Sequence, residues 1–168
     1  MSLTILGVDP GSRITGFGVV RVTNGRIEHI NHGVILLDEK RDFPYRMKEL
    51  GLAFREVMQK YQPHQVSIEQ IFLGKNADSA FKLGHARGVI MYEAGIGNAD
   101  VFEYATRAVK KGVTGNGGST KEDVQVILKA ILNIQVINRI DASDALAMAC
   151  HHAFELKKKS ILQRAVSL

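Results

Sequence analysis

Residues 3–8 are almost continuously apolar, and the run stops at a carboxylate, Asp9, followed at once by Pro10 and Gly11. A short apolar run that ends in turn residues reads as a β-strand buried on both faces. A carboxylate closing such a strand is costly unless it is paired, hydrogen-bonded or ligating a cation. In open α/β sheets, the carboxyl ends of the strands are where ligands bind. The competing reading is that Asp9 only caps the turn formed by Pro10, Gly11 and Ser12.

Residues 16–22 give a second strand. Residues 26–37 give a third, with Ile27, Ile30, Val34, Ile35, Leu36 and Leu37 as its apolar members. Asn24 and Gly25 lie between them, the strongest short hairpin signal, so the first three strands are expected as antiparallel neighbours. The period then changes. Met47, Leu50, Phe54, Val57 and Met58 recur at helical spacing within 43–61, and Pro63 closes that segment. Residues 65–70 read as a strand in which Val66 and Ile68 alternate with Ser67 and Glu69. A helix over 76–93 capped by Asn76, a fifth strand over 100–104, and helices over 121–132 and 142–159 complete the pattern. A glycine-rich stretch, 112–120, separates the last strand from those two helices. The basic tail with Lys157, Lys158, Lys159 and Arg164 is expected to fray. The expectation is an α/β fold with a five-stranded mixed sheet, three antiparallel strands then parallel additions, and helices on both faces.

A chain of 168 residues with 45% hydrophobic and 23% charged side chains has about the length of one domain and can bury a core. The expectation is a single domain over 1–168. No apolar run approaches the roughly 18–20 residues of a membrane helix. Asp9 cuts the first apolar run short and no basic stretch precedes it, so no signal peptide is expected. The single Cys150 excludes an internal disulfide and favours the reducing cytoplasm. Lys and Arg number 22 against 17 Asp and Glu, a net charge of +5, which suits a nucleic-acid partner.

Four carboxylates carry the functional reading. The expected sheet places the strand ending at Glu69 parallel to the one ending at Asp9, with both acids at the same end. Asp141 and Asp144, three apart at a helix start, share one face of that helix. Each has an ordinary alternative: Glu69 as an exposed acid paired with a lysine, Asp141 and Asp144 as a capping pair. Taken together, with no Cys or His at metal spacing, they describe an oxygen-only site that suits Mg²⁺ or Mn²⁺ and not zinc. Four such charges brought close would repel by several kcal/mol at an effective dielectric of about 20, so a cation must offset them. Two metals about 4 Å apart would support phosphodiester hydrolysis.

The run from Val8 to Gly16 resembles the first motif of the RuvC Holliday junction resolvases. Ile68, Glu69, Gln70, Ile71 and Phe72, continuing through Lys75, Asn76, Ala77, Asp78, Ser79 and Ala80, resemble the second. Asp141, Ala142, Ser143, Asp144, Ala145, Leu146 and Ala147 resemble the third. The resemblance implies an RNase H-like fold and a homodimer that makes paired Mg²⁺-dependent nicks in four-way DNA junctions. It also implies that Asp9, Glu69, Asp141 and Asp144 are the catalytic, metal-holding acids. The RuvA and RuvB branch-migration proteins are implied as partners. By the same resemblance Phe72, otherwise read as a core residue, stacks on an unpaired base. Arg107, Lys110, Lys111 and Lys121 flank the glycine-rich stretch, where they suit phosphate contacts or a plain solvated charge run; the resemblance sets Lys110 and Lys121 near the cleaved strand. Ala80, Gly84 and Gly88, four apart, suit close approach of a second helix or packing on the chain's own sheet, and the resemblance assigns this helix to the dimer contact. The histidines are read as surface or core residues, and Cys150 as a small buried hydrophobe. Two competing functions are a phosphotransferase of the sugar kinase and actin group, which needs two such lobes, and a non-catalytic junction-binding relative, which an incomplete acidic set would favour.

Overall fold

The computed structural model describes residues 2–70 and 77–166. Among them the chain runs β1 (Ser2–Asp9), β2 (Ile14–Thr23), β3 (Arg26–Leu36), α1 (Phe43–Tyr61), β4 (Gln65–Glu69), α2 (Ala77–Ile96), β5 (Asp100–Tyr104), α3 (Thr106–Thr114), α4 (Lys121–Leu132) and α5 (Ile140–Val166). The sheet order is β3-β2-β1-β4-β5. β1, β2 and β3 pair antiparallel, while β4 and β5 are added parallel. This is the mixed sheet that the sequence predicts. Its first hairpin turns where expected, with Asn24 (φ 53°) and Gly25 (φ 78°) both in the left-handed conformation that a two-residue primed turn demands.

The apolar run of β1 is central because it has a sheet neighbour on each side and helices above and below. Successive side chains of a strand point to opposite faces. Leu6 and Val8 pack with Leu50 and Phe54 of α1 and Ile90 of α2, while Ile5 packs with Val109 of α3, Leu128 of α4 and Leu146 of α5. Asp9 has the parity of Ile5, so it projects toward α3, α4 and α5. On β4, Val66 and Ile68 belong to the α1 and α2 side. Glu69 therefore shares the α3–α5 side with Asp9, at the same end of two parallel strands.

The third acidic segment reaches that end because glycines let α5 lie directly on the sheet. A Cβ on Gly7 would sit 2.0 Å from the carbonyl oxygen of Ala145. One on Gly16 would sit 2.0 Å from that of Asp141. On the other face, α1 has the bounds the sequence predicts. The Asp42 side chain caps it by accepting from the Tyr45 N–H (3.1 Å), Pro44 sits in the first turn, and Gln62 ends it in the left-handed conformation (φ 42°).

Several elements differ from expectation, among them α2, which runs to Ile96 and not to Glu93. The segment after β5 holds a helix, α3, that the glycine-rich reading hides: Gly112 is inside it, and a Cβ there would meet Nδ1 of His151 at 2.1 Å. Val109 and Val113, four apart, bury its inner face. α5 begins at Ile140 and continues to Val166, so the basic tail is helical through most of its length. β2 begins two residues early, at Ile14. Phe72, Lys75 and the expected cap Asn76 lie outside the described residues. No helix among the described residues is long and apolar enough to cross a membrane.

Candidate active site

A cavity of about 160 Å³ opens where β1, β4, α3, α4 and α5 meet. Asp9, Glu69 and Asp144 line it together with Thr106, Lys110 and Lys121. Asp141 stands one turn before Asp144 on α5, and its charge acts on both Asp9 and Lys121. Acids separated by 60 and more positions in the sequence thus meet at one end of the sheet, with two of the four predicted basic residues beside them. Arg107 and Lys111 lie farther out on the exposed surface of α3.

Each of these acids has its own set of partners. The turn after β1 is closed by Thr15, whose hydroxyl accepts from the Gly11 N–H (3.2 Å) and donates to the Gly11 carbonyl (3.0 Å). Glu69 accepts from the Thr106 hydroxyl, and among the described residues it pairs with no lysine. Ile140 opens α5, so Asp141 is a first-turn residue and not the N-cap. The Asp144 carboxylate accepts from Lys121 Nζ at 2.5 Å, across 23 residues of sequence.

The electrostatics follow from this crowding. Burial, together with the negative charges of Asp144, Glu69 and Asp141, raises the Asp9 carboxyl from 3.8 to about 7, against the opposing pull of Lys121. The hydrogen bond to Asp144 raises Lys121, with Asp9 and Asp141 adding to it. Arg139 Nη2 lies 3.8 Å from Asp141 Oδ2. Among the described residues, no three His, Cys, Asp or Glu side chains stand at ion-holding distance. Every acidic donor here is oxygen, and the Asp9 carboxyl is raised first by its burial and then by the neighbouring negative charges. That donor set fits a hard divalent cation.

Two residues that sequence reasoning does not single out complete the site. Thr106 reaches Glu69 from the first turn of α3. Arg87 of α2 donates from Nε to the Glu69 carbonyl (3.1 Å) and pairs with Glu103. The four-residue spacing of Thr106 and Lys110 is the sequence signal for the first, and it becomes visible once α3 is recognised as a helix.

Elsewhere, α1 and α2 leave a groove of about 860 Å³ between them. Phe81 and Tyr92 flank it, 66% and 63% exposed. Cβ atoms on Gly84 or Gly88 would meet nothing within 4 Å, so this small-residue row faces open space and not the chain's own sheet. His151 and His152 are buried in α5, and Cys150 is buried beside them.

A family model described as crossover junction endodeoxyribonuclease RuvC matches residues 5–152. A protein of that description from Bdellovibrio bacteriovorus is 78% identical over 168 residues, all of both chains. One from Geotalea uraniireducens is 44% identical over 151 residues, covering 90% of this chain and 88% of its own. Among solved structures, Thermus thermophilus RuvC in complex with a Holliday junction substrate superposes with a TM-score of 0.87 at 26% identity, covering 94% of this chain and 96% of that one. The yeast mitochondrial Holliday junction resolvase Ydc2, at 15% identity and a TM-score of 0.67, covers 95% of this chain and 85% of its own and shares the fold. The architecture is RNase H-like.

Proposed function

Because the chain belongs to the RuvC family of crossover junction endodeoxyribonucleases, we propose that the cavity between Asp9 and Asp144 is where it cuts four-way DNA junctions. The observation that carries this reading is the convergence of Asp9, Glu69 and Asp144, with Asp141 alongside, beside two lysines at one end of the sheet.

In this reading Asp9, Glu69, Asp141 and Asp144 hold divalent cations, Mg²⁺ or in its place Mn²⁺, two to a site. Bound there, the ions supply Lewis acidity that makes water nucleophilic at neutral pH and offset charge on the departing oxygen. The acids fix where that charge sits. Asp9, on the most buried strand, is the rigid member, and its proton must leave for the carboxylate to serve as a ligand. Lys110 and Lys121 face the cavity and neutralise the phosphate, while Arg107 and Lys111 hold the strand farther along α3. Phe72, just past Glu69 in sequence, stacks on a base at the junction point.

A junction with two-fold symmetry needs two cuts, and the α1–α2 groove supports a homodimer: exposed aromatic side chains flank a row of small residues with open space above it. Partnership with RuvA and RuvB, and work in the cytoplasm, complete the proposal.

The test is a synthetic four-way junction incubated with the purified chain. Paired symmetric nicks with Mg²⁺, binding without nicks in EDTA, and binding without nicks for Asp9→Asn and Asp144→Asn are expected. Full nicking by either variant would overturn the assignment of the cavity.

A further inference from the structure

We propose that Thr106 is a positioning residue that sets the orientation of the Glu69 carboxylate. The inference rests on the reading of Glu69 as a cation ligand. The main chain at Glu69 is already fixed: its carbonyl accepts from Arg87 Nε, it pairs in register with Tyr104, and the Gln70 N–H donates to the Tyr104 carbonyl (2.8 Å). Those bonds hold the backbone at the strand end but leave the long Glu side chain to rotate. Asp9 has one methylene fewer and sits on the central strand, so it lacks that freedom. The Thr106 hydroxyl donates to Glu69 Oε1, which leaves Oε2 without a bond from Thr106, on a side chain that lines the cavity.

The hydroxyl is available for this for a local reason. Threonine near a helix start commonly spends its oxygen on the helix's own N–H groups. Here the N-cap position belongs to Ala105, which has no capping oxygen, and Thr106 is already inside the helix. Its β-branched side chain is stiff about the first torsion, so it presents the hydroxyl in a defined direction. Thr106 and Lys110 stand one turn apart on the same face of α3 and both line the cavity. One helix thereby carries a group aimed at a metal-holding acid and a group aimed at phosphate, so a strand docked on α3 and a cation held by Glu69 share one rigid support.

Because Thr106 is exposed, removing its oxygen leaves the core intact. Partners that orient metal ligands typically change metal affinity or activity by about 10- to 100-fold when lost. Thr106→Val, which keeps the shape and removes the hydroxyl, is expected to weaken Mn²⁺ binding about tenfold, measured without DNA by the resonance of free Mn²⁺. Its kcat for junction cleavage should fall by a similar factor, with junction affinity in EDTA unchanged. Thr106→Ser should restore both. Mn²⁺ affinity equal to that of the unmodified chain in Thr106→Val, or failure of Thr106→Ser to recover what valine loses, overturns the proposal. Glu69→Gln separates the two levels: if it cleaves normally the underlying site reading fails, and if it is inactive while Thr106→Val is unaffected, only the role of Thr106 falls.

Discussion

Replacing Asp9 with asparagine should make the cation-free protein more stable at neutral and alkaline pH while destroying cleavage. The carboxyl titrates at 3.8 when unperturbed and at about 7 in the fold, because it is buried and faces Asp144, Glu69 and Asp141. Each pKa unit is worth about 1.36 kcal/mol, so ionised Asp9 costs the fold at most about 4 kcal/mol above pH 7. The sign is that of a raised acid. Below pH 3.8 the group is protonated in both states and costs nothing; between 3.8 and about 7 stability drains away as pH rises; above 7 the loss is complete. Asparagine keeps the shape and never ionises. In urea or thermal unfolding with EDTA, Asp9→Asn should gain about 2–4 kcal/mol over the unmodified chain at pH 8. At roughly 2–4 °C per kcal/mol for a chain of this size, Tm should rise accordingly. The gap should close by pH 4. Added Mg²⁺ should stabilise the unmodified chain and do little for the variant. A gap that is absent, reversed, or the same at pH 4 and pH 8 would refute the claim that Asp9 is buried among like charges.

The opposite pH trend belongs to His152. Its Nδ1 accepts from the Tyr104 hydroxyl (2.6 Å) and its Nε2 donates to Gln65 Oε1 (2.8 Å), an arrangement that suits the neutral ring, and burial lowers it from 6.5 to about 4. This base contributes up to about 3 kcal/mol above pH 6.5, lost as pH falls toward 4. Unfolding in the Asp9→Asn background, which removes the contrary trend of Asp9, should show that loss; flat stability from pH 6.5 to 4.5 contradicts it. Gly16→Ala should push the first turn of α5 off the strand ends, because the new Cβ would lie 2.0 Å from the Asp141 carbonyl. A loss of about 1–3 kcal/mol in stability and of most cleavage is expected, and unfolding and nicking equal to those of the unmodified chain would show that α5 does not need this contact.

Much of this site could be read from residue order because strand ends are local signals. Asp9 after an apolar run and Glu69 opposite Val66 and Ile68 declare both the end and the face they occupy. The hairpin at Asn24 and Gly25 then fixes which strands are neighbours. The helix α3 was hidden by its glycine: Gly112 lowers helix propensity by about 1 kcal/mol, and only its contact with His151, 39 residues away, makes glycine the residue that fits there. The 2.5 Å bond between Lys121 and Asp144 belongs to the packing of α4 against α5 and leaves no local pattern, and the bond between Thr106 and Glu69 becomes legible only once α3 is recognised as a helix. The continuation of α5 was concealed differently. Lysine, leucine and glutamine form helices well, but the charge run there reads equally as a solvated tail.

The proposed role of these separated acids is to grip a divalent cation together. Crystals of the protein soaked in Mn²⁺ and measured at the manganese absorption edge test it directly. An anomalous peak is expected within about 2.0–2.3 Å of carboxylate oxygens from Asp9 and at least one of Glu69, Asp141 and Asp144, with Lys121 withdrawn from Asp144. A fully occupied peak elsewhere on the surface, with the Lys121–Asp144 pair intact and no density among the acids, would contradict it.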